Sequence, residues 1–103
     1  MNVNNIDKIK DAMSEQLAVA LEKIGMQAEA YAKLDCPVDT GRLRNSITHQ
    51  QEGDTTEVIG TNVEYAAYVE MGTQKTKAQP YLEPAVTNHV DEYRQMVEET
   101  LKN

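Results

Sequence analysis

Apolar side chains recur at every third or fourth position along the first third of the chain. The residues with this spacing are Ile6, Ile9, Met13, Leu17, Ala20, Ile24, Ala28 and Tyr31. The pattern predicts an amphipathic helix that has Asn4 or Asn5 as its N-cap and continues without a break. Pro37 disfavours helical backbone in the residue before it, so the helix must end by about Asp35. Gly25 predicts either a bend or a point of close packing.

A helix of this length spans roughly 40 Å at 1.5 Å per residue. That is longer than a chain of 103 residues can easily cover by itself. We therefore expect part of the apolar stripe to contact another subunit, although a core within the chain is the more frequent explanation of such a stripe. The length predicts one domain over residues 1–103. The chain has five tyrosines and no Trp or Phe, and tyrosine suits a wet interface as well as a core.

A second and much shorter helical pattern follows residue 63. Tyr65, Tyr68 and Val69 are spaced i, i+3 and i+4, so a short helix would place all three on one face. Gly72 lies at the position where glycine commonly ends a helix. We expect the short helix to stop at Gly72, and we expect Tyr68 to belong to the core rather than to an interface.

The segment after this glycine, residues 73–79, has no apolar side chain larger than alanine. It contains Thr73, Lys75 and Lys77. This composition is typical of an exposed, mobile loop. Its position between two apolar segments predicts that both of its ends are held in place while its middle is in solvent.

Two prolines, Pro80 and Pro84, flank the next segment. They predict extended backbone for Tyr81 and Leu82 between them. A proline is tolerated in the first turn of a helix, so we expect a final helix from about Pro84 to Leu101. The predicted buried face of that helix comprises Val86, Val90, Tyr93, Val97 and Leu101.

Residues 43–61 are most simply a β-hairpin, with a turn at residues 53–54 and a second strand over residues 57–61. Leu43 and Ile47 would share the buried face of its first strand. The predicted order is a long N-terminal helix, a small antiparallel sheet built on a β-hairpin, a short central helix and a C-terminal helix. This order is typical of an α+β fold.

The segment that leads into the hairpin has the composition of a turn. Asp39 and Thr40 can accept hydrogen bonds from nearby backbone N–H groups, and Gly41 permits unusual dihedral angles. We expect Arg42 and Arg44 to lie on a solvated face of the sheet rather than to make specific contacts.

The charge and the cysteine count exclude several classes of protein. A net charge of −7 argues against tight binding of nucleic acid, although acidic surfaces are also ordinary in soluble proteins. Cys36 is the single cysteine, so no intrachain disulfide can form and a reducing compartment is expected. The chain shows neither a secretory pattern at its N-terminus nor an apolar run long enough to span a membrane.

Enzymatic motifs are weak. Residues 39–41, Asp-Thr-Gly, match the catalytic turn of aspartic proteases. Those enzymes are almost wholly β, whereas helical patterns occupy both ends of this chain. Two arginines also follow the triplet here, and a nearby positive charge opposes the proton sharing that this mechanism needs. Cys36, His49 and His89 offer a thiol and two imidazoles without an orienting residue, and the histidines lack metal-ligand spacing. We predict no enzymatic activity, no cofactor and no metal.

Three ordered blocks of residues carry a resemblance to a known family. They are Cys-Pro-Val-Asp-Thr-Gly-Arg-Leu-Arg-Asn-Ser-Ile at 36–47, Tyr-Ala-Ala-Tyr-Val-Glu-Met-Gly-Thr at 65–73, and Ala-Gln-Pro-Tyr-Leu-Glu-Pro-Ala at 78–85. The chain resembles the phage tail-component family typified by gene product ten of the Hong Kong ninety-seven phage, which occurs in long-tailed phages and prophages.

The resemblance implies a small, non-enzymatic protein of the phage neck or tail that acts in head-tail joining or tail completion. It implies a homo-oligomeric ring around the DNA path, with neighbouring neck or tail proteins as partners. DNA would pass through without specific binding, no membrane would be involved, and the protein would join the virion after assembly in the host cytoplasm. Two alternatives remain open: an assembly chaperone that is absent from finished particles, and a prophage-encoded adaptor that binds another protein.

The residues expected to have structural or interaction roles are Gly41, Leu43, Ile47, Tyr65, Tyr68, Val69, Gly72, Thr73, Lys75, Lys77, Pro80, Tyr81, Leu82 and Pro84. Our mechanistic hypothesis is that loop 73–79 orders when it docks on an adjacent neck or tail protein. Acidic residues that face the lumen of the ring would keep DNA from adhering.

Overall fold

One helix of 33 residues, α1 (Val3–Asp35), contacts most of the other elements in the computed structural model of the chain. The structure describes residues 3–37, 41–53, 56–75 and 77–102, with side chains from residue 15 onward. The elements after α1 are α2 (Arg42–Ser46), β1 (Thr48–Glu52), β2 (Thr56–Gly60), α3 (Ala66–Met71), α4 (Leu82–Thr87) and α5 (Val90–Lys102). The predicted α+β fold is confirmed.

The long N-terminal helix is confirmed, and so is its end before Pro37. Its first helical residue is Val3, two residues earlier than an N-cap at Asn4 implies and three earlier than an N-cap at Asn5 implies, so both asparagines lie inside the first turn and neither is the N-cap. The N–H groups of a first turn have no acceptor within the helix in any case, so this earlier start costs little. The side chains of Ile6, Ile9 and Met13 lie outside the described part of the chain.

From Leu17 onward, where the structure describes side chains, the predicted stripe on α1 packs within the chain. Its members Ala20 and Ala28 are buried, as is Ala32, which was not predicted, and these small side chains let the hairpin and the C-terminal helices approach the helix closely. A different row of α1 stays exposed, and its large apolar members are Val19, Met26 and Leu34. Among the described side chains of α1, the surplus apolar surface expected for subunit contacts therefore lies beside the predicted stripe rather than along it.

The hairpin is confirmed, with β1 and β2 antiparallel in a register that pairs Thr48 with Gly60 and Glu52 with Thr56. Gly53 has φ of 68°, which suits a tight turn, while residues 54–55 lie outside the described part. The hairpin begins later than predicted, because α2 occupies the start of the expected first strand.

The prediction that Leu43 lies on a strand is wrong. Leu43 and Ile47 are both buried, but they are four residues apart, and this spacing puts two side chains on one face of a strand and also on one face of a helix. Gly41, with φ of 78°, allows the chain to enter α2, and its carbonyl accepts a hydrogen bond from Asn45 N at 2.9 Å. The predicted permissive role of Gly41 is confirmed, whereas Asp39 and Thr40 lie outside the described residues.

The single C-terminal helix that was predicted is in fact two helices. A turn at Asn88 and His89 separates α4 from α5. The His89 ring stacks on Tyr31 of α1, with ring centroids 3.6 Å apart, and the Tyr31 hydroxyl donates to Glu92 at 2.6 Å. These contacts with α1 set the direction of α5 independently of α4.

The break changes which residues of the C-terminal region are buried. Val86, Val90 and Leu101 are exposed, so their predicted place on the buried face is wrong. Tyr93 is buried as predicted, and Val97 is half-buried. A stripe continues along one face only while the helical phase is kept, and the turn between the two helices interrupts that phase.

The main core is small and is built mostly from short side chains. It comprises Ala32, Cys36, Leu43, Ile47, Val63, Ala66, Tyr81 and Ala85. Among the described residues, Tyr81 and Ile47 are the largest that are fully buried. The Cα radius of gyration is 17.3 Å, with extents of 64 × 23 × 22 Å, whereas a compact domain of about 100 residues has a radius near 13 Å. The molecule is therefore elongated, with much surface for its volume.

The two buried tyrosines predict a loss of stability at high pH. Burial raises the pKa of both Tyr81 and Tyr93 to about 12. The folded state then keeps a phenolic proton that the unfolded state releases near pH 10, so the contribution is fully present below pH 10 and is lost as the pH rises towards 12. We expect the free energy of unfolding to fall by about 1.4 kcal/mol per pH unit for each tyrosine in this window.

Urea unfolding between pH 9 and 12 measures this effect. In Tyr93→Phe the side chain keeps its ring but has no proton to lose, so the slope of stability against pH should become shallower than in the unmodified chain. Equal slopes for the two proteins would contradict the assignment to Tyr93.

Candidate interaction surface

The short helix α3 ends as the sequence predicts. Gly72 follows its last residue with φ of 78° and ψ of 178°, a combination that L side chains rarely adopt. Its N–H donates to the carbonyl of Tyr68 at 2.8 Å. The predicted role of Gly72 is thus confirmed, and the chain leaves the helix there in a direction that only glycine permits easily.

A groove of about 270 Å³ lies beside this helix. It is lined by Pro37, Tyr65, Tyr68, Val69, Thr73, Lys77 and Gln79. The three apolar residues predicted to share one face of the helix do share the lining of this groove. Tyr65 and Val69 also pack against the main core, so the groove joins the core to the surface.

The prediction that Tyr68 belongs to the core is wrong, because 63% of its surface is exposed. The residue that α3 buries is Ala66, and it lies on the side facing Tyr81. The periodicity identified the shared face correctly but could not show whether that face was covered. Tyr68 is therefore an aromatic side chain available for contact with another molecule.

Residues 73–75 and 77–79 form the predicted exposed loop. Its end is held by a hydrogen bond from Gln79 N to the Val69 carbonyl at 2.8 Å, and Lys75 N donates to Thr73 Oγ1 at 3.2 Å. Thr73 and Lys77 border the groove, while Lys75 is exposed elsewhere on the loop. The mobility of this loop stays a prediction.

The carboxylate of Glu70, which was not among the predicted site residues, joins α3 to the start of α4. Glu70 Oε1 accepts hydrogen bonds from the backbone N–H groups of Tyr81 at 3.0 Å and Leu82 at 2.8 Å. Its Oε2 accepts a third from Glu83 N at 3.2 Å. One side chain from α3 thereby satisfies the first backbone donors of α4. These partners are 11 to 13 residues away along the chain, so no local motif reveals them.

The Glu70 contacts explain why the helix after the loop begins before Pro84, earlier than predicted. Leu82 is the first residue of α4, so the prediction of extended backbone there is wrong. Because Glu70 satisfies the free N–H groups, the helix can begin two residues before Pro84, which lies in the first turn as expected. Tyr81 anchors this end of the helix from inside the core, and Pro80 is exposed.

Arg42 makes specific contacts beside the groove, contrary to the prediction of a solvated sheet face. Its guanidinium donates two hydrogen bonds to the carboxylate of Glu64, at 3.1 and 3.2 Å, and lies 5.6 Å from the centre of the Tyr65 ring. Arg42 and Arg44 both belong to α2 rather than to a strand. The guanidinium lies over the Tyr65 ring that lines the groove, although exposed ion pairs contribute little to stability.

A family model described as "Bacteriophage HK97-gp10, putative tail-component" matches residues 3–72. The chain belongs to the HK97-gp10 family. Comparisons with curated proteins and with solved structures gave no match.

The matched region of this HK97-gp10 family member runs from α1 to the glycine that ends α3. It therefore includes two of the three blocks quoted above almost completely, while block 78–85 lies beyond it. The family is one of phage tail components, so the suspected resemblance is confirmed. Within the described residues, no helix combines the length and the apolar character needed to span a membrane.

Besides the groove, the tail component has a cluster of polar side chains between α1 and the hairpin. His49 of β1 contacts Glu29 through Nδ1 and Glu22 through Nε2, both at 2.9 Å. Glu57 of β2 and Gly25 of α1 lie against the same imidazole. Hydrogen bonds with Glu22 and then Glu29 raise the pKa of His49, whereas burial, followed by the charge of Glu22, raises the pKa of Glu57.

Sequence spacing does not reveal this cluster, because its members come from three distant segments. One weak signal was present in the sequence: Glu22 and Glu29 are seven residues apart and so share a helix face. The observed register of the hairpin, which the sequence did not predict, puts His49 and Glu57 on one face of the sheet. Gly25 is a point of close packing, which confirms one of its two predicted roles. The other candidate groups do not meet here. His49 contacts Glu22 and Glu29, whereas His89 stacks on Tyr31. The Cys36 thiol donates to the Pro37 carbonyl.

Proposed function

We propose that this tail component acts without enzymatic chemistry in head-tail joining or tail completion, as a homo-oligomeric ring around the DNA path. The observation that carries the proposal is the groove beside α3, where an exposed tyrosine and a half-buried valine lie next to a polar loop. Aromatic side chains with a polar tip are enriched at protein interfaces, and a groove that reaches the core gives a partner side chain a place to enter.

The exposed apolar row of α1 is a second candidate interface, and it supports a ring rather than a symmetric dimer. Rings form from head-to-tail contacts, in which each subunit uses two different surfaces. The tail component offers the groove as one of them and the exposed apolar row of α1, with Val19, Met26 and Leu34, as the other. The elongated shape adds surface for both.

The distribution of charge on the chain supports docking of the loop on neighbouring neck or tail proteins. Loop 73–79 presents Lys75 and Lys77 on a chain whose net charge is −7, so the loop is suited to dock on an acidic surface of a neighbouring neck or tail protein. The excess of carboxylates would repel DNA in the lumen and let it pass without sticking. The proposed location is the neck or tail of the virion, after assembly in the host cytoplasm.

Replacing Tyr68 with alanine tests the groove. We expect the count of infectious particles from a phage that carries the variant to fall about tenfold or more, because truncation of a central interface tyrosine costs about 2 kcal/mol. The free energy of unfolding should change by less than about 1 kcal/mol, because Tyr68 is exposed. Leu101→Ala, which shortens an exposed apolar residue at the end of α5, is the control and should leave assembly unchanged.

Native mass spectrometry with negative-stain imaging, on the chain alone and mixed with neighbouring neck or tail proteins, shows the assembly directly. We expect a closed ring for the unmodified chain and its loss for Tyr68→Ala. Deletion of residues 74–77 in the same assays tests the loop, and normal yields of infectious particles would rule out its docking role. Antibody probing of purified virions separates the alternatives, because an assembly chaperone would be absent from finished particles.

A further inference from the structure

The polar cluster under the hairpin has the composition of a metal site. One ligand atom each from Glu22, His49 and Glu57 lies within 4.8 Å of the other two. The three residues come from α1, β1 and β2, so a bound ion would join the long helix to both strands. Imidazole and carboxylate groups together are common ligands of divalent transition metals.

Two observations indicate that the cluster is built for an occupant. Both carboxylate oxygens of Glu57 are buried, and neither has a hydrogen-bond partner among the described residues. A carboxylate buried in this way is costly unless it is paired or coordinates a metal. Gly25 supplies the space, because a Cβ at this position would overlap Glu57 Oε1 and would lie 2.8 Å from the His49 ring.

The contacts of the imidazole also match those of a metal ligand. In metal sites, a histidine that binds the ion through one nitrogen usually donates its other N–H to a carboxylate, which fixes the ring. His49 Nδ1 lies 2.9 Å from Glu29 Oε1, which leaves Nε2 directed at Glu22. Three carboxylates face one histidine and one lysine, Lys33, which pairs with Glu29 at 3.1 Å. The resulting excess of negative charge favours a cation.

We propose that Glu22, His49 and Glu57 bind a divalent transition-metal ion of the Zn²⁺ class, with Glu29 as the carboxylate that orients His49. The ion takes the place of the proton between Nε2 and Glu22 and pairs with the orphaned oxygens of Glu57. Tetrahedral ligands at about 2.1 Å from zinc lie about 3.4 Å apart, so closure of the site needs only small side-chain rotations. Its role is structural, since it clamps the hairpin on α1.

Titration of Zn²⁺ into the purified, chelator-treated chain tests this site. We expect native mass spectrometry to detect one bound zinc ion and the thermal unfolding midpoint to rise until one equivalent has been added. Glu57→Gln keeps the size of the side chain and should weaken zinc binding by at least about tenfold, as loss of a ligand or of its orienting partner does. Gly25→Ala keeps every ligand but fills their space, so it should weaken binding in the same way.

The controls lie outside the cluster. Glu15→Gln changes an exposed carboxylate on the same helix, and His89→Gln removes the other histidine, so both should bind zinc as the unmodified chain does. Far-ultraviolet circular dichroism checks that each variant is folded. The assignment is overturned if the unmodified chain binds no zinc, if Glu57→Gln binds it unchanged, or if His89→Gln abolishes it.

Discussion

Tyr81→Ala is expected to lower the free energy of unfolding by about 3–5 kcal/mol, the usual cost of truncating a large aromatic side chain in a core. Tyr81 has 0% of its surface exposed, and its ring lies in a cluster with residues from α1, α2, α3 and α4. The neighbours include three alanines, Ala32, Ala66 and Ala85, which are too short to fill the space that the ring leaves. The loss is a large fraction of the 5–15 kcal/mol that typically stabilises a domain of this kind.

Urea unfolding monitored by circular dichroism measures the change. Tyr68→Ala is the matched control, because it truncates the same kind of side chain at a position that is exposed rather than buried. We expect the Tyr68 variant to lose less than about 1 kcal/mol. Tyr81→Phe removes only the hydroxyl, which lies 3.5 Å from the Ala66 carbonyl, and should cost about 1 kcal/mol. Similar losses for the two alanine variants would contradict the structure.

Glu70→Ala is expected to cost about 2–3 kcal/mol, although Glu70 belongs to no hydrophobic cluster. Its carboxylate accepts hydrogen bonds from three consecutive backbone N–H groups at the start of α4. A hydrogen bond to a charged group contributes about 1.5–3 kcal/mol, and removal of a helix cap costs about 0.5–2 kcal/mol. The two figures describe overlapping interactions, so they are not added.

The same unfolding assay applies to Glu70. Glu98→Ala, which removes an exposed carboxylate from α5, is the control and should be nearly neutral. Glu70→Gln keeps one side-chain oxygen as acceptor, so its loss should lie between those of the alanine variant and the unmodified chain. If Glu70→Ala and Glu98→Ala proved equally mild, the carboxylate would have no capping role.

The interaction surface was only partly predictable from sequence. The spacing of Tyr65, Tyr68 and Val69 correctly predicted a shared face, and the composition of segment 73–79 correctly predicted the exposure of residues 73–75, 77 and 79. The assignment of Tyr68 to the core was wrong, because periodicity reports which side chains lie together and not what covers them. Glu70 and Arg42 were missed as contacts, because their partners are far along the chain.

The polar cluster around His49 could not be predicted from the sequence, for a similar reason. His49 meets Glu22 and Glu29 only because the hairpin packs on α1, and the orphaned oxygens of Glu57 exist only in the packed state. A spacing rule for metal ligands searches short stretches, whereas these residues are spread over residues 22–57.

By itself, the sequence determined the long helix, its end before Pro37, the stop at Gly72, the hairpin and the family. These features depend on interactions within a few residues, such as helical spacing, the ring of proline and the missing Cβ of glycine. The tertiary structure decided that residues 42–46 are helical, that α4 and α5 are separate, and that Tyr81 is buried while Tyr68 is not. Each of these outcomes depends on which distant segments pack together, because burial and the pairing of buried polar groups are properties of the assembled core.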